Sequence, residues 1–502
     1  MTDNVMAAID LGSNSFHMLV GRADGDHLMV LDQLVEMIRL AAGLDERKYL
    51  TPEARQRALD CLSRFGQRIR PLHPQRVRIV GTNTLRKARN ARTFLNAAEM
   101  LLGHPVEIIS GIEEARLIYL GVSHSMDLGS EKCLVVDIGG GSTELIIGER
   151  FVPGQLESLY MGCVSMTQQF FANGQISAKQ MARAHMHAMM ELEPHIFTYR
   201  SLGWQNSIGA SGTVRAIEKI VTANGWSKEG ITRDSLRQLQ ATLLNAKTID
   251  ALEIEGLKAE RKPVILGGFV ILQAIFEALG IEQMSVSNGA LREGILYDLM
   301  GREQTDDTRS GSVANLAKRF VLDQVHAQRV EDMAVSLLKQ VPDLFDDLKN
   351  ATQHLRWAAQ LHEIGLSIAH NSYHKHGYYI VANADLLGFS QQDQKLLATL
   401  VRTHRRSYST DIFKELSSPW KGMGKRLAVL LRLAVVLNRS HTPNPIPVPV
   451  LSFSKKNIRI QLDKEWLDTH PLTRSDLETE AAYLGKAGYI LQIDPPFMDT
   501  GT

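Results

Sequence analysis

One short pattern occurs twice in this 502-residue chain, and the repeat limits the fold more than any other feature. The first copy runs Ala8-Ile9-Asp10-Leu11-Gly12-Ser13-Asn14-Ser15-Phe16; the second runs Val135-Val136-Asp137-Ile138-Gly139-Gly140-Gly141-Ser142-Thr143-Glu144. Each opens with an apolar run that reads as a buried strand. Each then sets an aspartate beside a glycine-rich turn and resumes with an apolar stretch, His17–Val20 or Leu145–Ile147. The pattern predicts a strand–turn–strand hairpin, twice. Small residues at a tight turn let backbone N–H groups converge on one centre, which suits phosphate oxygens. The aspartates supply hard oxygen ligands for a divalent cation such as Mg2+. Two such hairpins facing each other would grip a polyphosphate from both sides.

A chain of this length exceeds one hydrophobic core, and about two to four domains are expected. With 56 basic and 55 acidic residues the net charge is +1. There is no global bias toward nucleic acid or membranes, and an anion site must come from local placement. Cys61, Cys133 and Cys163 form no CxxC pair and no metal-ligand spacing, which fits buried thiols in a reducing compartment. The first residues lack a signal-peptide layout, and no run approaches 18 apolar residues. No membrane span is expected, and the cytoplasm is the default location.

Element order repeats along with the motif. Residues 5–40 read as three antiparallel strands, 51–70 as a helix capped by Thr51 with Pro52 in its first turn, 76–80 as a strand and 85–102 as a helix. A strand at 106–109 precedes Ser110-Gly111 and a helix over 112–122. The second half runs through strands near 133–148 and 156–160, a helix near 177–200, and a strand ending in Gly209-Ala210-Ser211-Gly212-Thr213. Helices at 232–246 and 263–279, a strand at 284–286 and a helix at 291–300 follow. This predicts two similar α/β lobes around a cleft, over 1–124 and 125–303. A polar linker at 301–311 leads to a helical domain over 304–442. The alternating prolines Pro443, Pro445, Pro447 and Pro449 then break helix before a small α+β domain over 443–502.

Six ordered strings narrow this reading: Asp10–His17, Gly81-Thr82-Asn83-Thr84-Leu85-Arg86, Ser110–Arg116, Asp137–Glu144, Gly209–Thr213 and Gly289–Gly294. Together they resemble the exopolyphosphatase/guanosine pentaphosphate phosphohydrolase family of the actin-like ATPase superfold, over the whole chain. That resemblance implies two actin/Hsp70-like (ribonuclease H-like) lobes and hydrolysis of terminal phosphate from inorganic polyphosphate or pppGpp. It implies Mg2+, or Mn2+ in its place, with a monovalent cation as a further cofactor. By position, Glu114 would be the general base for the attacking water, and Arg86 would neutralise charge on the transferred phosphoryl. Asp137 and Glu144 would hold the metal, with Asp10 across the cleft. Gly12, Ser13, Asn14 and Ser15, then Gly139, Gly140, Gly141 and Ser142, then Gly209, Ser211, Gly212 and Thr213 would hold phosphate oxygens. Glu113 keeps the structural reading of an acid in the first turn of a helix. The resemblance also implies a homodimer.

The helical domain carries His354, His362, His370, His374 and His376, with His362-Glu363 resembling the His-Asp signature of HD metal phosphohydrolases. Glu363 stands where the aspartate belongs, and its longer side chain moves the ligand oxygen by about one C–C bond. We read an HD-like fold whose metal site is lost. Arg405, Arg406, Lys425 and Arg426, with Arg432 and Arg439 nearby, read as a track for a long polyanion. Asn288 replaces an acid that many family members carry before Gly289. Cys163 has no activating partner in view and reads as structural.

Processive release of phosphate from polyphosphate is the leading expectation, with pppGpp hydrolysis to ppGpp as the alternative. Gly141 leans toward the polyphosphate branch, since the nucleotide branch resembles this chain with alanine there. A kinase of the same superfold and a non-catalytic nucleotide sensor are the other classes. Glu114 and the helical C-terminal half argue against the kinase, and inertness toward both substrates would mark the sensor.

Overall fold

Strand order repeats where the sequence repeats. The computed structural model describes residues 4–24, 27–126, 131–303, 308–441 and 446–494, and the chain divides into two units, Met1–Asp306 and Asp307–Thr502. In the first unit, β1 (Val5–Leu11), β2 (Ser15–Asp24), β3 (His27–Met37), β4 (Val77–Gly81) and β5 (Glu107–Ile108) form one sheet in the order β3-β2-β1-β4-β5. A second sheet holds β6 (Lys132–Ile138), β7 (Thr143–Glu149), β8 (Val152–Leu159), β9 (Asn206–Ala210), β10 (Ile231–Thr232) and β11 (Gln283–Val286), in the order β10-β11-β9-β6-β7-β8. Read from β3 and from β8, the two sheets share one plan. Two antiparallel pairings, β1 with β2 and β2 with β3, match β6 with β7 and β7 with β8; the parallel pairs β1–β4 and β4–β5 match β6–β9 and β9–β11. The central strand β6 is buried on both faces, which explains its unbroken apolar run.

Local chemistry sets the helix starts. Thr51 accepts the Ala54 N–H ahead of the helix Pro52–Ile69, with proline at the first turn. Ser110 accepts the Glu113 N–H and opens the helix Gly111–Ser125, which puts Glu114 in the first turn. The single helix expected over 85–102 is two, Asn83–Lys87 and Ala91–Leu102. Asn90 breaks it by exchanging hydrogen bonds of 2.9 and 3.0 Å with the Leu50 backbone. A short helix, Cys163–Phe170, was not expected. Glycine at 294 serves packing: a Cβ there would lie 1.8 Å from the Leu117 carbonyl oxygen, so Leu291–Glu303 and Gly111–Ser125 press backbone to backbone.

Among the described residues, one segment, Lys262–Leu279, is long and apolar enough to cross a membrane by length and composition. The helix Ile265–Leu279 packs its length into the core beneath the second sheet, and that burial accounts for its apolar character.

In the second unit six helices, from Thr308–Arg319 to Trp420–Leu437, precede a three-stranded sheet of β12 (Val450–Ser454), β13 (Asn457–Gln461) and β14 (Ile490–Asp494). Trp357, Leu430, Ile458 and Leu477 belong to one hydrophobic cluster, so the small sheet and its helix Pro471–Lys486 share the helices' core. Arg432, read from sequence as part of a basic face, is instead buried and paired with Glu480 through bonds of 2.5 and 2.9 Å. Linker residues 304–307 and the prolines Pro443 and Pro445 lie outside the described residues.

Candidate active site

Strand pairing decides which side chains meet. Asp137 lies directly opposite Glu144 in the β6–β7 ladder, so both carboxylates rise from the same face of the sheet. The equivalent pair in the first hairpin is Asp10 opposite His17. The turns between them are braced alike. In the first, the N–H groups of Arg39 and Ala41 bind the carbonyls of Asn14 and Ser13. In the second, those of Cys163 and Val164 bind the carbonyls of Gly139 and Gly140. Tying the carbonyls back on one side leaves turn amides free on the other, which is the geometry of an anion nest. Gly139 is the exception, because its N–H closes the hairpin onto the Ser142 carbonyl at 3.0 Å.

Both turns face one cleft. Asp10, Gly12, Ser13, Asn14 and Ser15 line it with Glu114, Asp137, Gly139–Ser142, Ser211, Gly212 and Thr213. These residues, singled out from sequence, are therefore brought together. Glu144 stands behind Asp137, buried, with one oxygen accepting the Ser158 hydroxyl at 2.8 Å. Gly209 sits within β9 rather than on the cleft wall. Ser211 adopts a left-handed backbone (φ 76°) at the start of the helix Ser211–Ala223, and its hydroxyl donates to the Ile138 carbonyl. That non-glycine strain positions a helix N-terminus against the second hairpin, where an anion is favoured.

Arg86 is placed differently from the expectation. Its guanidinium binds the Glu114 carboxylate and the Ile109 carbonyl, each at 2.9 Å, and it is not on the cleft wall. It orients Glu114. Glu113 turns away into a buried network with Arg116, Arg78 and Asp298 that joins β4 to two helices. Asn288 is exposed on the loop after β11.

Four side chains on the wall escaped the sequence reading: His17, Arg215, Arg261 and Arg292. Arg292 bonds the His17 ring at 3.0 Å and Glu293 at 2.8 Å. Gly212 admits Arg261 to the backbone, because a Cβ there would fall 2.1 Å from its guanidinium. Two of the three arginines had a signal, Arg215 two residues past Thr213 and Arg292 inside the Gly289–Gly294 string; Arg261 had none.

Electrostatics in the cleft are those of an incomplete charge set. Burial, then the Glu114 charge, pushes Asp137 up to about 7. Burial and the same neighbour raise Asp10 and Glu144 well above the usual carboxylate range. Asp10 Oδ1 is buried with no hydrogen-bond partner among the described residues, and so is the amide nitrogen Asn14 Nδ2. An orphaned carboxyl oxygen and an orphaned amide donor on one cleft fit a cation and a phosphate oxygen together. The donor set is all oxygen, as a hard divalent ion requires. Burial raises the Cys163 thiol and keeps it unreactive.

In the second unit the residues expected as a track separate. Arg405 and Arg406 line a basic pocket with His370, His374 and Lys375. Arg405 lies over the Tyr373 ring, 4.3 Å from its centroid. Lys425 and Arg426 are on the helix Trp420–Leu437, where Arg426 is tied to the Leu344 carbonyl.

A cleft of buried carboxylates, free turn amides and arginines defines a phosphohydrolase, and comparison with known proteins agrees. The profile of the Ppx/GppA phosphatase family matches residues 19–303, and that of its domain III matches 308–481. This chain belongs to the Ppx/GppA phosphatase family, whose members are generally metal-dependent enzymes. It is 42% identical over 489 residues to a guanosine-5'-triphosphate,3'-diphosphate pyrophosphatase of Vibrio vulnificus, covering 97% of this chain and 98% of the relative. A protein of the same name from Aeromonas hydrophila is 40% identical, with 96% and 97% covered. Among solved structures, an exopolyphosphatase-like protein aligns with a TM-score of 0.54 at 25% identity, covering 61% of this chain and all of the other. An exopolyphosphatase from Cytophaga hutchinsonii aligns with a TM-score of 0.54 at 24% identity over 59% of this chain and 98% of its own, a likeness of fold.

Proposed function

We propose that this chain hydrolyses pppGpp to ppGpp, with Glu114 as the general base. The observation that carries the reading is the set of Asp10, Glu114, Asp137 and Glu144 gathered at the two braced turns, in a chain similar over nearly its whole length to proteins named for that nucleotide. Water attacks the terminal phosphorus and gives a proton to Glu114. The bond to the bridging oxygen breaks, and ppGpp leaves with the electron pair. Arg86 holds Glu114 in position for the water. Amides of the turns at 12–15 and 140–142 and at the helix start near Gly212 take phosphate oxygens, and Arg215, Arg261 and Arg292 offset the remaining charge. Asp137 and Glu144 would hold Mg2+, or Mn2+, with Asp10 opposite; when bound, such an ion neutralises charge on the phosphoryl oxygens.

Release of phosphate from inorganic polyphosphate is the second reading. Its signal in the second turn, Gly141, faces Asn83, whose Oδ1 would lie 2.8 Å from a Cβ there. The basic pocket at Arg405 and Arg406 still suits a long polyanion. The same reading holds the first unit to be two actin-like lobes meeting near 124, the helices after 304 to be HD-like with a small domain from 443, and the protein to act as a cytoplasmic homodimer. The matched strand orders support the lobes, and three buried free thiols support the location.

The test is phosphate release by the purified chain with Mg2+ from pppGpp and, separately, from long-chain polyphosphate. Wild type is expected to prefer pppGpp in kcat/KM. Glu114→Gln is expected to lower turnover of both by about 10²–10⁴-fold while retaining binding. Near-normal turnover in that variant removes Glu114 as the base, and a preference for polyphosphate overturns the substrate.

A further inference from the structure

The second unit gathers three imidazoles around one carboxylate oxygen. His326 sits in the first turn of the helix Gln324–Leu338, His362 follows Leu348–Leu361, and His441 lies beyond the end of Trp420–Leu437. Glu363 Oε1 is 4.0 Å from His326 Nε2, 4.0 Å from His362 Nε2 and 3.2 Å from His441 Nε2. One ligand atom each from His326, His362 and Glu363 falls within 4.8 Å of the other two.

We propose that His326, His362 and Glu363, completed by His441, form a binding site for a divalent transition metal of the Zn2+ type.

Three observations carry it. The His362 Nδ1 donates to the Ala359 carbonyl at 2.7 Å, which fixes the tautomer and leaves Nε2 as a lone pair. Ligating histidines are held in this manner by a backbone carbonyl behind the ring. That Nε2 is buried and has no hydrogen-bond partner among the described residues, a costly state for a polar atom unless something else meets it.

The fourth ligand is held under strain. His441 has a left-handed backbone (φ 55°), its carbonyl accepts from Arg329 at 3.2 Å, and its ring stacks on His326 at 3.6 Å. Strain of this kind persists where surrounding contacts impose it, as at ligand clamps. Imidazoles with one carboxylate select a borderline ion over Mg2+, so the ligand chemistry differs from the all-oxygen set of the first unit. Glu363 was expected from sequence to have forfeited a metal by its length. With the three imidazoles arranged about its oxygen, that length brings the carboxylate to the centre of the site.

The experiment uses the full chain, stripped with chelator and titrated with Zn2+ and with Co2+ as a spectroscopic stand-in. Wild type is expected to bind one ion with imidazole scattering in X-ray absorption, and its thermal midpoint is expected to rise with Zn2+. Asp137→Asn keeps both signals, which separates this site from the cleft. His326→Gln, His362→Gln and Glu363→Gln weaken binding by at least about tenfold and abolish the midpoint rise. Unchanged affinity in the three variants overturns the proposal. Should a variant fail to fold, a wild-type Co2+ or Zn2+ spectrum without imidazole overturns it as decisively.

Discussion

The two hairpins of the first unit share their plan and differ in one cross-strand partner. Asp137 faces Glu144, whereas Asp10 faces His17. The second hairpin therefore presents two carboxylates on one face, and the first presents a carboxylate and an imidazole anchored to Arg292 and to the Ser15 hydroxyl. A paired carboxylate draws cations. A neutral imidazole bound to an arginine holds a cation of the protein's own in place, aimed at an anion. If the proposed function holds, one duplicated scaffold would divide the labour of binding a metal–phosphate pair, the paired carboxylates of the second hairpin giving most to the metal and the Arg292-bound imidazole of the first giving most to the phosphate.

The strongest way to break this comparison is to remove the second carboxylate. Glu144→Gln is expected to lower kcat on the order of 100-fold and raise the Mg2+ needed for half-activity, while His17→Gln leaves the metal requirement unchanged. Metal titrations of activity for the two variants decide it. Equal shifts in both would mean that the hairpins do not divide the work.

The two aspartates of this division were legible in the sequence because the repeated motif fixes their place, whereas Glu114 and Glu144 were marked out by the family resemblance. Asp10, Asp137 and Glu144 belong to hairpins, and Glu114 belongs to a capped helix start. The cations were much less so. Arg215, Arg261 and Arg292 come from three separate segments and meet only when the sheet has formed, and an arginine carries no local pattern that marks its partner. The same blindness left Arg86 without its partner Glu114, and put Arg432 on a surface when Glu480 holds it in the core. The repeat of strand order was legible, since period and turn residues encode it. The break at Asn90 was not, because its cause is Leu50, a tertiary contact.

A sharper form of the comparison makes the hairpins alike. His17→Glu places a carboxylate beside Arg292, where it competes with substrate phosphate for that guanidinium. KM for pppGpp is expected to rise about tenfold, about 1.4 kcal/mol, with a smaller change in kcat. Steady-state kinetics check this, and an unchanged KM would remove the phosphate-gripping role of the first hairpin.

The hairpins also carry opposite pH signatures in metal-free protein. Burial, then Arg292, lowers His17 to about 3 from an ordinary value of 6.5. The unfolded chain then binds more protons between those values, so the His17 contribution to stability is lost as pH falls from about 6.5 toward 3. Asp137 is raised to about 7 from 3.8, so the folded chain binds more protons and its contribution is lost as pH rises from about 4 through 7. Thermal midpoints against pH are expected to fall less on the acid side in His17→Asn and less toward neutrality in Asp137→Asn. Parallel curves for both variants and wild type would mean that neither group is held as described.

The smallest expected effect comes from Gly141, the position that distinguishes the second turn by one methyl group. Its neighbour Gly162 presses so close to the turn that a Cβ on it would fall 2.4 Å from the Gly141 nitrogen. The turn cannot retreat that way. An added methyl at 141 meets Asn83 Oδ1 at 2.8 Å and Ser13 Oγ at 3.4 Å, one side chain from a helix start and one from the first turn, and a side-chain amide can rotate by the few tenths of an ångström required. Gly141→Ala is therefore expected to change kcat/KM by no more than about threefold, under 1 kcal/mol, for pppGpp and for polyphosphate alike. The ratio of the two is the measurement. A tenfold change in that ratio would show that the second turn reads the substrate beyond its terminal phosphate, and the division between hairpins would then include specificity as well as charge.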